Sequence, residues 1–208
     1  RRVVSCNRRL EEIFGYDPGE LLGQSTERLY PSRAAFEAIG ERAYANCGAG
    51  RNHCEELLLR RKSGEIFWGA LNGQAIDPAH PQEGSIWIYT DISERRAAEE
   101  EAHKLLRAVE QSPVSIVITD RDGLIEYVNP RFSQVTGYRA NEAIGQNPRL
   151  LQSGCTSPET YQEMWDALLA GREWRGILCN RRKNGELFWE EASLSPIIDE
   201  HGTITHFL

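Results

Sequence analysis

The chain of 208 residues contains two copies of one sequence pattern, and this duplication constrains its fold more than any other feature. Landmarks of the first copy recur in the second at an offset of 122 residues: Asn7, Gly15-Tyr16 and Gly23-Gln24 return as Asn129, Gly137-Tyr138 and Gly145-Gln146. The segment from Arg60 to Trp68 returns from Arg181 to Trp189 with seven of nine residues identical. Because each copy has the length of a small domain, the repeat predicts two separately folded domains.

Composition and charge exclude several classes of protein. With 40% hydrophobic and 26% charged residues, the chain is close to an average soluble globular protein. Its longest apolar runs, Val114 to Ile118 and Ile86 to Tyr89, are far shorter than the roughly 18 residues that a membrane span needs. We therefore predict no membrane span in this region and a cytoplasmic location. The net charge of -7 and the lack of a basic stripe predict that nucleic acid is not a partner.

Neither the cysteines nor the polar motifs indicate a reactive site. The five cysteines form no Cys-x-x-Cys pair, so we predict reduced thiols rather than a disulfide framework. Cys47, His53 and Cys54 lack a fourth ligand at suitable spacing, which argues against a metal site. The sequence has no glycine loop that could cradle phosphate and no recognisable nucleophile with its base. We therefore predict no catalytic residues and no enzymatic activity.

Turn, cap and periodicity signals give the order of elements, most completely in the second copy. Two β-rich runs, Val114 to Thr119 and Leu124 to Val128, flank a turn and predict a hairpin. Asn129-Pro130 and Ser157-Pro158 predict two helix starts. Three strand-like runs follow, from Trp174 to Arg182, Glu186 to Ile198 and Thr203 to Leu208. Helices in the middle and strands at both ends predict an α+β fold with an antiparallel sheet.

Between the copies, Ser93 can cap a helix that runs to about Glu110. Its small and apolar residues recur at spacings of four, three and four, as in the seam of a coiled coil: Ala98, Ala102, Leu105 and Val109. Because this stripe is shorter than two heptads, two interpretations stay open with equal weight. The helix either packs on its own domain or forms the seam of a dimer.

The repeated pattern resembles tandem Per-Arnt-Sim (PAS) domains with their PAC motifs. The resemblance rests on Asn-x7-Gly-Tyr-x3-Glu-x2-Gly-Gln, on Arg-Arg-Lys-x-Gly-x-x-Phe-Trp and on Asp91-Ile92-Ser93-Glu94-Arg95, and it covers nearly the whole chain. It implies two PAS folds, each an antiparallel five-stranded sheet with short helices on one face, joined by a helix. The expected division is a first PAS/PAC domain over 1–92 without its N-terminal strand, a signalling helix over 93–110, and a second PAS domain over 111–208 that stops before its C-terminal motif.

The resemblance also implies a function. PAS domains of this kind form cytosolic sensory regions of bacterial signalling proteins and sense a small ligand or a redox state in an internal cavity. Such regions are usually homodimers, here expected to associate through the connecting helix. They precede an output domain such as a histidine kinase, a diguanylate cyclase or a phosphodiesterase, which is expected to be covalently attached outside this chain. The alternative is a ligand-free PAS module for dimerisation and interaction.

Strand alternation in the second copy brings candidate ligand-binding residues to one face of the sheet. A flat aromatic ring, a glycine that leaves room and an amide that both donates and accepts suit a planar heterocycle such as isoalloxazine. The segment from Trp174 to Lys183 resembles flavin-binding PAS domains of bacterial redox sensors, and the segment from Gly145 to Gln152 resembles the flavin loop of the light-oxygen-voltage subfamily. These resemblances imply FAD in the second copy, with the cofactor-binding residues Trp174, Gly176, Leu178, Asn180, Glu190, Asn147 and Arg149.

Several observations narrow this hypothesis. The first copy has neither the Trp nor the Asn at the matching positions, so we expect it to serve as a coupling or dimerisation domain. Pro148 stands where the light-oxygen-voltage subfamily has its photoadduct cysteine, which argues against adduct photochemistry. The long helices, about 32–47 and 158–170, carry no histidine as a haem ligand.

Two further expectations concern the candidate residues themselves. In the alternative without a ligand, Trp174 only fills the core and Asn180 satisfies backbone groups at a strand end. An inward carboxylate is costly without a partner, so Glu190 is expected to meet an arginine, a ligand N–H or water.

Overall fold

The computed structural model describes residues 1–77, 79–80 and 83–208. These residues form two compact units, Arg1–Ala102 and His103–Leu208, and each unit contains one copy of the sequence repeat. The predicted tandem of two domains is therefore confirmed. The boundary lies within the connecting helix, and the finer division into 1–92, 93–110 and 111–208 stays a prediction.

In unit 1, short helices precede an antiparallel sheet. The elements are α1 (Arg8–Phe14), a 3-10 turn (Thr26–Leu29), α2 (Arg33–Gly48), β1 (His53–Arg60), β2 (Ile66–Ala75) and β3 (Ser85–Asp91), and the sheet order is β1-β2-β3. Helix α1 begins where the side chain of Asn7 accepts a hydrogen bond from the N–H of Leu10. It ends at Gly15, which adopts a φ of 72° that favours glycine.

Helix α3 (Ser93–Glu110) follows β3 and has the predicted bounds. None of its residues, all of which are described, is buried. Its first turn is bound to unit 1, because Arg95 and Arg96 both donate to the Glu56 carboxylate, at 2.5 Å and 3.2 Å. The Arg96 guanidinium also lies over the Trp68 ring, 3.8 Å from its centroid.

Unit 2 contains more strands, and its helices lie between them in the chain. The elements are β4 (Val117–Thr119), β5 (Ile125–Val128), α4 (Pro130–Thr136), α5 (Ala140–Ala143), a 3-10 turn (Pro148–Leu151), α6 (Pro158–Leu169), β6 (Trp174–Arg181), β7 (Leu187–Leu194), β8 (Pro196–Ile198) and β9 (Ile204–Phe207). One sheet has the order β5-β4-β9-β8, and β6 pairs with β7. The predicted helix starts are confirmed, since Asn129 and Ser157 cap α4 and α6.

The α+β class with antiparallel sheets is confirmed, whereas the strand counts differ from five. In unit 2, Ser195 divides the predicted strand from Glu186 to Ile198 into β7 and β8. The ladder nevertheless continues, because Ser195 exchanges two backbone hydrogen bonds of 2.9 Å with Leu208. In unit 1 the described sheet has three strands, since the residues before Asn7 form only an isolated bridge between Arg2 and Ser25.

The two units differ in the organisation of their cores. In unit 1, ten buried apolar side chains form one cluster: Phe14, Leu21, Leu29, Tyr30, Ile39, Ala43, Leu57, Leu59, Phe67 and Leu71. In unit 2 there are two clusters. One holds Ile125, Val128, Phe132, Ala143 and Leu151, and the other holds Met164, Leu168 and Phe207. The inner faces of β6 and β7 therefore belong to the unit whose core is divided into two clusters of buried apolar side chains.

Candidate functional site

The predicted alternation along β6 and β7 is present in the structure. In the antiparallel register, Leu178 lies opposite Glu190 and Asn180 lies opposite Phe188. Opposed residues share a face of the sheet, so Leu178, Asn180 and Glu190 come together on the inner face. The alternation of burial breaks at Cys179, which belongs to the outer face but is only 1% exposed.

The centre of this inner face is a polar pair. The side-chain amide of Asn180, which is 5% exposed, donates a hydrogen bond of 2.7 Å from Nδ2 to Oε1 of Glu190. Burial raises the pKa of the Glu190 carboxyl, and the hydrogen bond from Asn180 only partly opposes this. The described partner of Glu190 is thus the neighbouring Asn180 amide, whereas we expected an arginine, a ligand N–H or water. A ligand N–H or water as a further partner stays a prediction.

Unit 1 has an apolar contact at the same register. Leu59 and Gly69 stand where Asn180 and Glu190 stand in the second copy. Leu59 is completely buried, and a Cβ atom added to Gly69 would lie 2.2 Å from Leu59 Cδ1. A leucine side chain therefore fills the space in unit 1 that an amide and a carboxyl occupy in unit 2.

Trp174 and Gly176 contact each other at the other end of β6. A Cβ atom added to Gly176 would lie 2.4 Å from Cζ2 of Trp174. Trp174 also packs against the cluster that contains Met164 and Leu168. The indole ring itself thus takes the room that Gly176 leaves, as the core-filling alternative predicts.

Asn147 and Arg149 form a separate group at the turn between β4 and β5. Oδ1 of Asn147 accepts hydrogen bonds from the backbone N–H and from Nε of Arg149, at 3.0 Å and 3.1 Å. Its Nδ2 donates to the carbonyl oxygen of Gly123 at 2.9 Å. Asn147 therefore caps the 3-10 turn and ties it to the hairpin, and its described hydrogen bonds do not include Asn180 or Glu190.

Sequence reasoning missed the residues that follow this 3-10 turn. Gln152 forms an isolated bridge with Asn180, and the hydroxyl groups of Ser153 and Thr156 bond to the backbone of Cys179. The only signal in the sequence is that the second copy is three residues longer than the first between Gln146 and Ser157.

The row in unit 1 that corresponds to β6 begins with a buried histidine. Nδ1 of His53 lies 3.2 Å from Nδ2 of Asn46, and its Nε2 lies 3.2 Å from a carboxylate oxygen of Glu55. Glu55 also accepts a hydrogen bond of 2.8 Å from Arg42. Glu55 and its partner Arg42 thus supply charge near the start of this row, and leucine side chains occupy the positions further along.

The open clefts of unit 2 lie away from the candidate residues. Two open clefts of unit 2, about 430 Å³ and 500 Å³, lie beside α4 and include none of the seven candidate residues. Within the described parts of the chain, no group of three His, Cys, Asp or Glu residues is arranged to hold a metal ion. No described helix has both the length and the apolar character to cross a membrane.

Comparisons with known proteins give matches for both units. A family model of a PAS domain matches residues 1–94, and a model of the PAS fold matches residues 103–208. The nitrogen fixation regulatory protein of Klebsiella oxytoca is 43% identical over 100 residues, which are 48% of this chain and 20% of that protein. A blue-light-activated histidine kinase of Brucella anthropi is 36% identical over 112 residues, or 52% of this chain and 23% of that protein.

A third curated relative and two solved structures also match this chain. The bacterioopsin transcriptional activator of Halobacterium salinarum is 35% identical over 138 residues, which are 63% of this chain and 19% of that protein. The chain thus spans about a fifth of the length of the curated relatives it matches. Among solved structures, an RNA-binding light-oxygen-voltage receptor gives a TM-score of 0.47 at 18% identity, covering 97% of this chain and 89% of that chain. A PAS domain of a LuxR-family regulator from Burkholderia thailandensis, in complex with ethanol, gives 0.43 at 35% identity, with coverages of 45% and 82%.

Proposed function

The chain belongs to the PAS family, and from this premise we propose that it is the sensory and relay region of a signalling protein. The relatives include a regulator of nitrogen fixation and a blue-light-activated histidine kinase, which supports a role in signal reception. We propose that the output activity lies in another part of the same cytoplasmic protein. This activity is of the histidine kinase type or of the diguanylate cyclase and phosphodiesterase type. The proposed division is 1–92, 93–110 and 111–208.

In this proposal unit 2 receives the ligand and unit 1 relays the signal. The observation that carries it is the polar pair of Asn180 and Glu190 at the register where unit 1 has Leu59 and Gly69. The buried amide of Asn180 and the partly buried carboxyl of Glu190 make this core less stable than apolar residues of similar size would. We infer from this that they serve a purpose other than packing. The buried apolar residues of unit 2 form two clusters rather than one, and we propose that the ligand packs between them.

The chemistry of the pair fits a planar heterocycle with alternating donors and acceptors, such as the isoalloxazine ring of FAD. Asn180 can donate from Nδ2 and accept at Oδ1. Glu190 can donate when protonated, which its raised pKa favours. Leu178 supplies an apolar surface beside both. A bound flavin would supply redox and light-absorbing chemistry, and these residues would bind and orient its ring.

The test is reconstitution of the full chain with FAD, followed by gel filtration and an absorption spectrum. We expect bound flavin in wild type. Asn180→Leu, which introduces the residue found at this register in unit 1, is expected to lose most of it. Asn141→Leu at an exposed position is the matched control and should retain it. Protein that stays colourless after incubation with FAD and FMN would contradict the cofactor proposal.

A second candidate function is a ligand-free module that dimerises through α3. The contact between Trp174 and Gly176 favours it, because that end of β6 is already filled. In this case flavin-free protein should be a dimer in analytical ultracentrifugation, and Asn180→Leu should stabilise unit 2 without a change in association. Binding of flavin that depends on Asn180 would contradict this candidate.

A further inference from the structure

Residues 152–157 run along the free edge of β6, and we call this segment the strap. Its first residue, Gln152, forms an antiparallel bridge with Asn180 and accepts a hydrogen bond of 3.0 Å from the side chain of Arg181. Its last residue, Ser157, caps α6. The strap therefore lies next to the part of β6 that carries the polar pair.

Side-chain hydroxyl groups hold the middle of the strap against one residue of β6. Thr156 Oγ1 accepts a hydrogen bond of 2.9 Å from the N–H of Cys179, and Ser153 Oγ donates one of 2.5 Å to the Cys179 carbonyl oxygen. The backbone groups of an edge strand that face away from its neighbour need partners, and here two hydroxyl groups supply them. Hydroxyl bonds of this kind are individually modest, so the contact can open locally without loss of the sheet.

Arg60, at the register of Arg181, also donates to the matching connection, at the Pro31 carbonyl oxygen 3.5 Å away. Among the described residues of unit 1, the two hydroxyl contacts have no equivalent. The matching connection is three residues shorter, and Pro31 is the single residue between Tyr30 and the cap of α2 at Ser32. The residue at the register of Cys179 is Leu58, which is exposed. The strap is thus a feature of the copy that has the polar inner face.

The strap also connects the two apolar clusters of unit 2. It begins after Leu151, which belongs to the cluster of Phe132, and it ends at α6, which contributes Met164 to the other cluster. The strap therefore links both clusters along the edge of β6 beside Asn180.

We propose that the strap is a gate over the inner face of β6 and β7, closed by the hydroxyl groups of Ser153 and Thr156. Its opening gives a small molecule access to the polar pair, so the role of the gate rests on the proposed function. The ligand class is the planar heterocycle proposed above, and its rates of binding and release depend on the two hydroxyl bonds.

Cys179 provides a direct reporter of the gate. Alternation places it on the outer face, yet it is almost fully buried, and the strap contacts its backbone on both sides. Opening of the strap should expose this thiol to a maleimide reagent. Cys155 is exposed and Cys47 is buried in unit 1, so they serve as references for reactive and protected thiols in the same sample.

The first experiment measures labelling rates of each cysteine in the flavin-free full chain by peptide mass spectrometry. Thr156→Val combined with Ser153→Ala is expected to label Cys179 roughly ten- to a hundredfold faster than wild type. Thr156→Ser, which keeps the hydroxyl group, should stay near the wild-type rate. Hydrogen exchange of β9 reports whether unit 2 has unfolded as a whole. Unchanged Cys179 labelling, or labelling that rises only together with β9 exchange, would overturn the gate.

A second measurement separates the gate from the proposed function. FAD at saturating concentration is expected to slow Cys179 labelling in wild type and to have less effect in the double variant. FAD that binds without any change in labelling contradicts the gate. Failure of FAD to bind contradicts the cofactor proposal instead, and the first experiment then decides whether the strap opens through its hydroxyl groups.

Discussion

Asn129 and Asn7 occupy the same position of the repeat, and replacing each by alanine should have very different effects. Both side chains cap a helix, because Oδ1 of Asn7 accepts from Leu10 N–H and Oδ1 of Asn129 accepts from Phe132 N–H. Asn7 is exposed, whereas Asn129 is 1% exposed. The pair therefore compares the same local chemistry at two levels of burial.

Asn129 makes three hydrogen bonds beyond the cap. Its Oδ1 accepts from Ile116 N–H at 2.9 Å, and its Nδ2 donates to the carbonyl oxygens of Val114 and Val109 at 2.9 Å and 3.1 Å. The amide thus uses both donors and both lone pairs. These bonds tie the last turn of α3 and the residues just before β4 to α4. The strand β4 begins at Val117 rather than at the predicted Val114, and its pairing with β5 ends where Val117 meets Val128.

The magnitudes follow from these contacts. Loss of a cap costs about 1 kcal/mol, which is the whole effect expected for Asn7→Ala. Asn129→Ala loses the same cap. It also leaves the Ile116 N–H without its partner, at a cost of about 1 kcal/mol. The carbonyl groups of Val109 and of the exposed Val114 lose their donor as well, at a cost of about 1 kcal/mol together. The free energy of unfolding of unit 2 should therefore fall by about 3 kcal/mol.

Hydrogen exchange in increasing urea, read peptide by peptide, measures the two units separately. Asn129→Ala should accelerate exchange across unit 2 and in the last turn of α3, whereas Asn7→Ala should affect unit 1 alone. Equal losses of unfolding free energy in the two variants would refute the reasoning, because burial and the three added bonds would then have no energetic consequence.

Three further variants test the charges and the helix. Burial raises the pKa of Glu190, so the folded state binds this proton more tightly than the unfolded state; E190Q should be more stable than wild type at neutral pH, with the difference lost as the pH falls through that pKa. Burial alone would raise the pKa of Asp91, but hydrogen bonds from a backbone N–H and from Arg61 lower it overall; D91N should be less stable by about 1–2 kcal/mol at neutral pH, again with the difference lost in acid. Urea unfolding across a pH series checks both, and a stability change of the same sign in the two variants would contradict these assignments. The double variant A102E/L105E should weaken self-association through the α3 seam, where Leu105 is 58% exposed, and unchanged sedimentation would reject the seam.

Local chemistry made much of the fold predictable. The caps at Asn129 and Ser157 act within one helical turn, and strand alternation has a period of two, so neither depends on distant residues. The inner face with Leu178 and Asn180 followed from the same periodicity. The break at Ser195 was not predicted, although Pro196 directly after it lacks a backbone N–H and is a local signal for such a break.

The contacts within the candidate site were less predictable. Alternation predicts on which face of the sheet Trp174 lies, but it does not predict the rotamer of its side chain. In the structure the indole ring lies over its own strand, close to Gly176. The partner of Glu190 lies diagonally across the sheet, so it depends on the register between two strands. Asn147 was assigned from a resemblance, whereas its hydrogen bonds to the hairpin are set by how the 3-10 turn packs.

If unit 2 binds the proposed flavin, its stability in a cell will depend on how much of that ligand is available. Where unit 1 buries Leu59 and Leu71, unit 2 has Asn180 and Ala192, so it forgoes apolar burial that stabilises its neighbour. A ligand at a hundred times its dissociation constant would restore about 2.7 kcal/mol by mass action. Heating should then melt unit 2 at a temperature that rises with added FAD, while unit 1 melts at a fixed one. Since proteases remove unfolded chains, the amount of intact protein would, under this proposal, depend on how much flavin the cell contains.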